Sequence, residues 1–292
     1  TVIEIKPDFM KRKFLTATLL LCCSIAIFAG SGGEDKKLSY IAIGTGYSQF
    51  NMIDRKVSPF VYSSTQSPNC LSFYQSSERS IFRADIDFIY SYLSPKDFSE
   101  RSFVNIYPNH NGTLRELAAS FTKSSLIQDE ITIEYLRLLK KNENGKMNLF
   151  FGGRFNQYFS YASTQAPVFV FSELSLNPSL LLRYRFSETV ESQTGLSVPL
   201  LSLITQMPYS NDPTDGEHNY FVSSFLMGSH LASLNRFQRV NFQQSLIKKF
   251  NHRWAVALDY NFYWFHYRNE SDINAYSNSI TAKVLISLNS KK

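Results

Sequence analysis

Between Arg253 and Arg268 the chain runs R-W-A-V-A-L-D-Y-N-F-Y-W-F-H-Y-R. Every second residue from Trp254 to Trp264 (Trp254, Val256, Leu258, Tyr260, Phe262, Trp264) is apolar or aromatic, and Ala255, Ala257, Asp259, Asn261 and Tyr263 lie between them. A period of two is the strand period, so the segment carries one greasy face and one small or polar face. On a strand tilted by roughly 40° and rising about 3.3 Å per residue, the ten residues between the tryptophans cover about 25 Å along the normal. That is the height of the apolar band of a transmembrane β-barrel, and Trp254 and Trp264 are expected in its two aromatic girdles.

Long alternating segments recur. Ala84, Ile86, Phe88, Tyr90 and Tyr92 oppose Arg83, Asp85, Asp87, Ile89 and Ser91. Leu149, Phe151, Phe155 and Phe159 oppose Asn148, Gly152, Arg154, Asn156 and Ser160, a pattern that Phe150, Gln157 and Tyr158 break. Leu180, Leu182, Tyr184 and Phe186 oppose Arg183 and Arg185, and Leu196, Val198 and Leu200 oppose Gly195, Ser197 and Pro199. Val240, Phe242 and Leu246 oppose Arg239, Asn241, Gln243 and Ser245. Ile280, Ala282, Val284, Ile286 and Leu288 oppose Ser279, Thr281, Lys283 and Ser287. A soluble sandwich or lipocalin-like barrel would turn the apolar face into a core and the charges into water. A barrel in lipid inverts this, with aromatics outward and charges in the lumen. Strands of roughly 10 to 14 residues, longer than the five or six usual in soluble proteins, favour the inverted arrangement.

Short links are predicted at residues 77–79, 141–146, 188–191 and 250–253, and longer polar ones at 51–69, 94–128, 161–173, 205–236 and 269–275. Short turns belong on the periplasmic side and long loops outside. The alternation therefore predicts an all-β, antiparallel, up-and-down transmembrane barrel of about ten strands with both termini in the periplasm. Twelve strands is the alternative, because the links 94–128 and 205–236 are long enough to hide strands and residues 220–227 are apolar enough to be one. Residues 131–139 alternate poorly, and their register is left open.

The start adds a route to the membrane. Met10 is followed by Lys11, Arg12 and Lys13 and then by an apolar run over residues 14–29, the pattern of a signal peptide over 10–31. Residues 1–9 precede that methionine and are expected to be a mis-start or fragment edge. Residues 32–38 form a spacer, and 39–292 the barrel. A membrane anchor over 14–29 would be short for a span, and a lipoprotein signal at Cys22 or Cys23 would have leucines where small residues are expected. Without the leader only Cys70 remains, so no intrachain disulfide is predicted and Cys70 is expected to be inert packing. The 25 Phe and 17 Tyr are what alternating lipid-facing strands produce. The formal charge is +6, and Lys6, Lys11, Arg12 and Lys13 against Glu4 and Asp8 account for +2 of it, leaving 6 − 2 = +4. That is too mild for a nucleic-acid partner and compatible with anionic lipopolysaccharide.

Several segments look familiar: I-A-I-G-T-G-Y (41–47), V-S-P-F-V-Y-S-S (57–64), L-S-V-P-L-L-S-L-I-T-Q-M-P-Y (196–209), S-L-N-R-F-Q-R-V (233–240) and R-W-A-V-A-L-D-Y-N-F-Y-W-F-H-Y (253–267). In order along the chain they resemble uncharacterised outer-membrane β-barrel proteins of the Bacteroidetes type. The resemblance implies a bacterial outer-membrane location and attaches no chemistry to any residue.

The strongest candidate site is a charge network in the lumen, made by Arg83, Asp85, Asp87, Arg154, Arg183, Arg185, Arg239, Asp259 and Lys283. Inward acids need counter-charges, and a narrow barrel filled by such pairs is plugged and rigid. Asp85 and Asp87 share a face two residues apart, like the paired acids of omptin-type barrel proteases, with Asp215 and His218 as the opposing pair. The spacing D-G-E-H departs from the Asp-x-His of that family. Barrel lipases set a His and a Ser two apart. His230 and Ser233 are three apart, neither His252 nor His266 has a serine at that interval, and His110 sits in a turn. The histidines do not cluster, so neither metal nor cofactor is predicted. The sequons at Asn111 and Asn269 are chance-level matches, and Gly44 to Gly46 is no phosphate loop. The predicted function is a non-catalytic outer-membrane barrel with a structural, accessory or surface-interaction role. Its partners would be outer-membrane lipid, lipopolysaccharide and, through extracellular loops, other proteins. A narrow solute channel and an outer-membrane hydrolase are the alternatives.

Overall fold

The computed structural model describes residues 38–55, 60–96, 102–108, 114–120, 124–163, 169–206, 228–269 and 272–289. The predicted signal peptide, the segment 1–9, His110, the first sequon, Asp215, His218 and the apolar segment 220–227 lie outside them.

Fifteen strands follow in order: β1 Leu38–Asp54, β2 Tyr62–Gln66, β3 Asn69–Ser76, β4 Ser80–Pro95, β5 Ser102–Pro108, β6 Leu114–Ser120, β7 Ser124–Lys141, β8 Met147–Ser163, β9 Phe169–Arg185, β10 Val190–Ser197, β11 Leu201–Gln206, β12 Ser229–Ala232, β13 Phe237–Lys249, β14 Trp254–Arg268 and β15 Asp272–Ser287. β5 and β6 pair only with each other. The rest make a ring of ten antiparallel staves, because β2 with β3, β10 with β11, and β12 with β13 each share one stave, and β15 closes on β1. The ten-strand prediction holds, and the two long links contain the β5–β6 hairpin and β12.

The register fixes the size of the ring. Stepping across the pairs from Leu38 through Ser76, Ile81, Leu136, Gly152, Ser179, Ser197, Asn241, Tyr263 and Ser277 returns to β1 at Phe50, a displacement of twelve residues. Ten strands with that stagger tilt by about 40° and enclose a backbone radius of about 10 Å, which side chains from opposite walls can fill.

The outside is apolar. Ile43, Tyr47, Phe88, Phe151, Leu176, Leu258 and Ile280 are all exposed on outward positions. The charged outward residues described are Lys140, Arg137 and Lys248 towards the short turns, Arg268 and Asp272 at a hairpin tip, and Asp129, which is buried. A closed sheet with a wide uncharged apolar exterior is stable only where lipid replaces water, so the chain is a membrane-spanning barrel.

The inside has three tiers. Tyr40, Tyr74, Ile81, Leu136, Phe150, Leu181, Ile247 and Leu285 form an apolar layer near the short turns. Phe50, Met52, Leu126, Tyr158, Phe171, Phe237, Phe265, Tyr267 and Ile273 form a second one near the long loops. On β4, β7, β8, β13, β14 and β15 the buried inward charges fall between these layers in sequence, and on β9 Glu173 falls between Phe171 and Leu181, with Arg183 beyond. The lumen is therefore not purely ionic as the sequence pattern predicted. Phe150 and Tyr158 do not break the alternation of β8 but face inward, one in each layer, and Gln157 faces out.

Several predicted loops are shorter than expected for the same reason. β1 runs on to Asp54, β9 starts at Phe169, and only residues 269–271 separate β14 from β15. Those extensions carry inward apolar residues such as Met52, Phe171, Ile273 and Ala275, which erase the polar half of the alternation.

Candidate functional site: the charged layer of the lumen

The middle tier is positioned by strand parity, since each of its residues stands on an inward position between the two apolar layers. Lys283 on β15 donates to Asp85 on β4 at 3.4 Å and meets Asp259 on β14 at 3.0 Å. Gly44 on β1 makes the room: a Cβ there would stand 2.6 Å from Lys283 Cγ. Arg83 donates to Gln243 at 2.9 Å and to Gln193, lies 3.9 Å from Glu134, and covers the Tyr74 ring.

Arg239 on β13 is wholly enclosed, as is its partner Glu173. Its guanidinium reaches Glu173 on β9 at 2.6 Å and Glu130 on β7 at 2.5 Å, and its Nε donates to Asn241 at 2.7 Å. It also lies over the rings of Tyr263, 4.8 Å from the centroid, and Tyr158, 5.4 Å. Two carboxylates and two ring faces satisfy a buried cation from all sides, which a lone ion pair would not do.

Arg154 is held less tightly, 3.9 Å from Glu130 and 3.5 Å from Asn156. Its Nε and the side-chain amides of Asn156 and Asn177 include buried atoms without a partner among the described residues. Asp87 makes no hydrogen bond or ion pair with a described residue. Both Asp87 and Arg154 line a cavity of about 90 Å³ together with Asp85, Glu130, Arg239 and Lys283. At roughly 10 to 15 Å³ of accessible volume for each, several water molecules fit, and water is the partner such groups take.

Arg183 and Arg185 stand apart from this layer. Arg183 sits over the Phe150 ring at 4.7 Å and donates to Ser76 at 2.9 Å, so it caps the lower apolar layer and has no carboxylate partner among the described residues. Arg185 ends β9 without an ion pair among them. Four acids missed by the sequence reading, Glu130, Glu134, Glu173 and Glu191, face the lumen. Glu130 and Glu134 lie on β7, where inward Leu136 and Leu138 and outward Arg137 blur the period, and Glu173 had been assigned to a loop. Their even spacing along one face was the available signal.

Asp215 and His218 lie outside the described residues, and among the described ones the remaining candidate hydrolytic groups do not assemble. Asp85 lies in the middle tier on Lys283. His230 sits in β12, while Ser233 donates to Asn235 in the next turn. His266 faces outward, bonded to Asn274 at 2.8 Å and stacked against Trp264. Trp254 and Trp264 stand ten residues apart on the outward face of β14, with His266 and Arg268 beyond Trp264.

No family model matches the chain, and no curated protein matches it by sequence. Among solved structures it is similar to the outer membrane protease OmpT from Escherichia coli, at 10% identity over 86% of this chain and 96% of that one, with a TM-score of 0.41. It is also similar to the translocator domain of the autotransporter NalP from Neisseria meningitidis, at 9% identity over 94% and 96%, with a TM-score of 0.38. The Pseudomonas putida toluene transporter TodX is 8% identical over 88% and 90%, with a TM-score of 0.32. We take neither activity nor ligand from likenesses this distant. The ring closure rests on the strand register alone.

Proposed function

We propose that the chain is a non-catalytic bacterial outer-membrane β-barrel that serves as a rigid platform for its extracellular connections, in a structural, accessory or surface-interaction role. The observation that carries this reading is the filled lumen. A charged layer lies between two apolar layers, each containing side chains wholly removed from solvent. A lumen so packed resists bending and offers no continuous wet path. An antiparallel barrel with apolar outside and buried charges inside is the form that outer membranes hold, and the five segments resembling Bacteroidetes-type barrels support the same location. Its partners are outer-membrane lipid and lipopolysaccharide around the belt and proteins at the long loops; nucleic acid and cofactors have no part in this reading.

The purified protein should migrate differently on gels with and without heating and give a β-rich circular dichroism spectrum in detergent. In planar bilayers it should pass no current above baseline. A steady single-channel conductance would select the rival reading, a narrow channel through the polar cavity. Hydrolysis of peptide or lipid that Asp85→Asn abolishes would select the enzyme.

A further inference from the structure

The wall of the barrel is interrupted on one stave at the level of the outer tryptophan. β10 pairs with β13 up to Ser197 and Asn241, and β11 resumes with β12 at Ser202 and Ala232. Residues 198–201 and 233–240 have no ladder between them, although Val240 pairs with Trp264 on its other side. Pro199 removes one bond from the gap, and the turn at 233–236 puts four extra residues on its other side. The N–H groups of Val198 and Leu200 donate to Pro178 and Leu176 on β9, so the amide between them points to β13. Being proline, it has no hydrogen to give.

Five staves round the ring, and so opposite, β2 meets β4 only at Tyr62 with Pro95 and Ser63 with Ser94, and the ladder resumes at Asn69 with Phe88. A chain of side chains crosses the lumen between the two interruptions. Gln66 donates to Gln128 at 2.6 Å and Gln128 to the Tyr158 hydroxyl at 2.6 Å. The Tyr263 hydroxyl donates to that of Tyr158 at 3.4 Å. Arg239 lies over both rings, holds Asn241, and Asn241 donates to Ser197 at 3.4 Å. Outside the gap lie Val198, Leu200 and Val240; inside it Pro199, Phe237 and Arg239 are buried. The wall there is shut by side-chain packing and by the Arg239 ties to β7 and β9, not by backbone hydrogen bonds.

We propose that Arg239 is the latch of a lateral gate between β10–β11 and β13, through which small uncharged molecules dissolved in the outer leaflet reach the lumen. The inference rests on the membrane-spanning reading, which heat-modifiable migration of the wild type tests separately. Cys70 is the reporter. It is buried, faces the lumen, and its sulfur lies 2.8 Å from where a Gly44 Cβ would stand.

The full chain with Cys22 and Cys23 replaced by serine is placed in phospholipid vesicles and exposed to N-ethylmaleimide, or to a charged methanethiosulfonate that stays in water. Arg239→Met should raise the rate of Cys70 labelling by N-ethylmaleimide at least about tenfold and leave labelling by the charged reagent unchanged. Adding Pro199→Ala, which restores an N–H aimed at β13, should return the rate to that of the wild type. If Arg239→Met loses its heat-modifiable form, the same comparison is made with Glu130→Gln and Glu173→Gln added, which leaves no naked carboxylates. No acceleration, equal acceleration with both reagents, or acceleration that Pro199→Ala does not reverse would each overturn the gate.

Discussion

The two halves of the lumen are filled by different means. In the half near the short turns the strands pair with a single-residue bulge between Leu138 and Lys140 on β7, β10 with β13 over eight consecutive positions from Val190 to Ser197, and the filling is mostly aliphatic with Tyr40, Tyr74 and Phe150. In the outer half two staves are interrupted, and the filling is a nest of rings. Phe171 stacks on Phe265 at 5.0 Å and 8° and meets Tyr158, Phe237 and Tyr267 within 6.4 Å. Where the backbone ladder runs through, non-directional packing suffices inside it. Where the ladder fails, rigid rings and a many-sided ion cluster hold the walls together.

The sharpest way to break that contrast is to hollow each layer in turn. Phe171→Ala removes a ring that touches four others and should cost about 3–5 kcal/mol in urea unfolding from vesicles, the range for a buried Phe deletion. Phe150→Ala should fall at the lower end of the same range, because the Arg183 side chain over its ring can settle into the space. An equal or larger loss at Phe150 would mean that ring packing adds nothing in the outer half.

A smaller effect separates the halves from outside. Leu258 lies within the belt, between the level of Trp254 and that of Trp264, whereas Leu231 projects from β12 beside the interrupted stave and is 69% exposed. Leu258→Arg should destabilise the inserted barrel by about 2–4 kcal/mol and Leu231→Arg by about 0–1, the depth dependence of a guanidinium in lipid. Equal costs would show that the belt does not end at the outer tryptophan.

The outer surface and the ring were legible in the sequence because lipid demands an apolar face, so period two survives on β14 from Trp254 to Trp264 and on β15 from Ile280 to Ile286. The inner face was legible only in its middle tier. Asp85, Asp259 and Lys283 stood out as charges opposite greasy residues, but Phe150, Tyr158, Phe265 and Tyr267 also point inward, where their hydrophobicity carries no information about side. Pro199 was visible as an inward residue of an alternating run. That its missing hydrogen faces β13 needed the register, which no single strand contains.

The subtlest test uses two adjacent glycines on β8. Gly152 faces the lumen, and a Cβ there would stand 2.0 Å from the carbonyl oxygen of Tyr135 and 2.9 Å from Leu136 Cα, both backbone atoms of β7 that cannot swing away. Gly152→Ala should therefore push β8 from its neighbour and cost about 1–3 kcal/mol, as overpacking does. Gly153 faces lipid with nothing within 4 Å of its added carbon. Gly153→Ala keeps the native backbone and narrows the unfolded ensemble, so it should stabilise by about 0.4–1 kcal/mol. Opposite signs from neighbouring residues follow if one faces a tightly closed wall and the other a fluid one. Two losses of the same size would mean that the outward face of β8 is covered by protein and that its two faces do not differ as a lipid-embedded barrel requires.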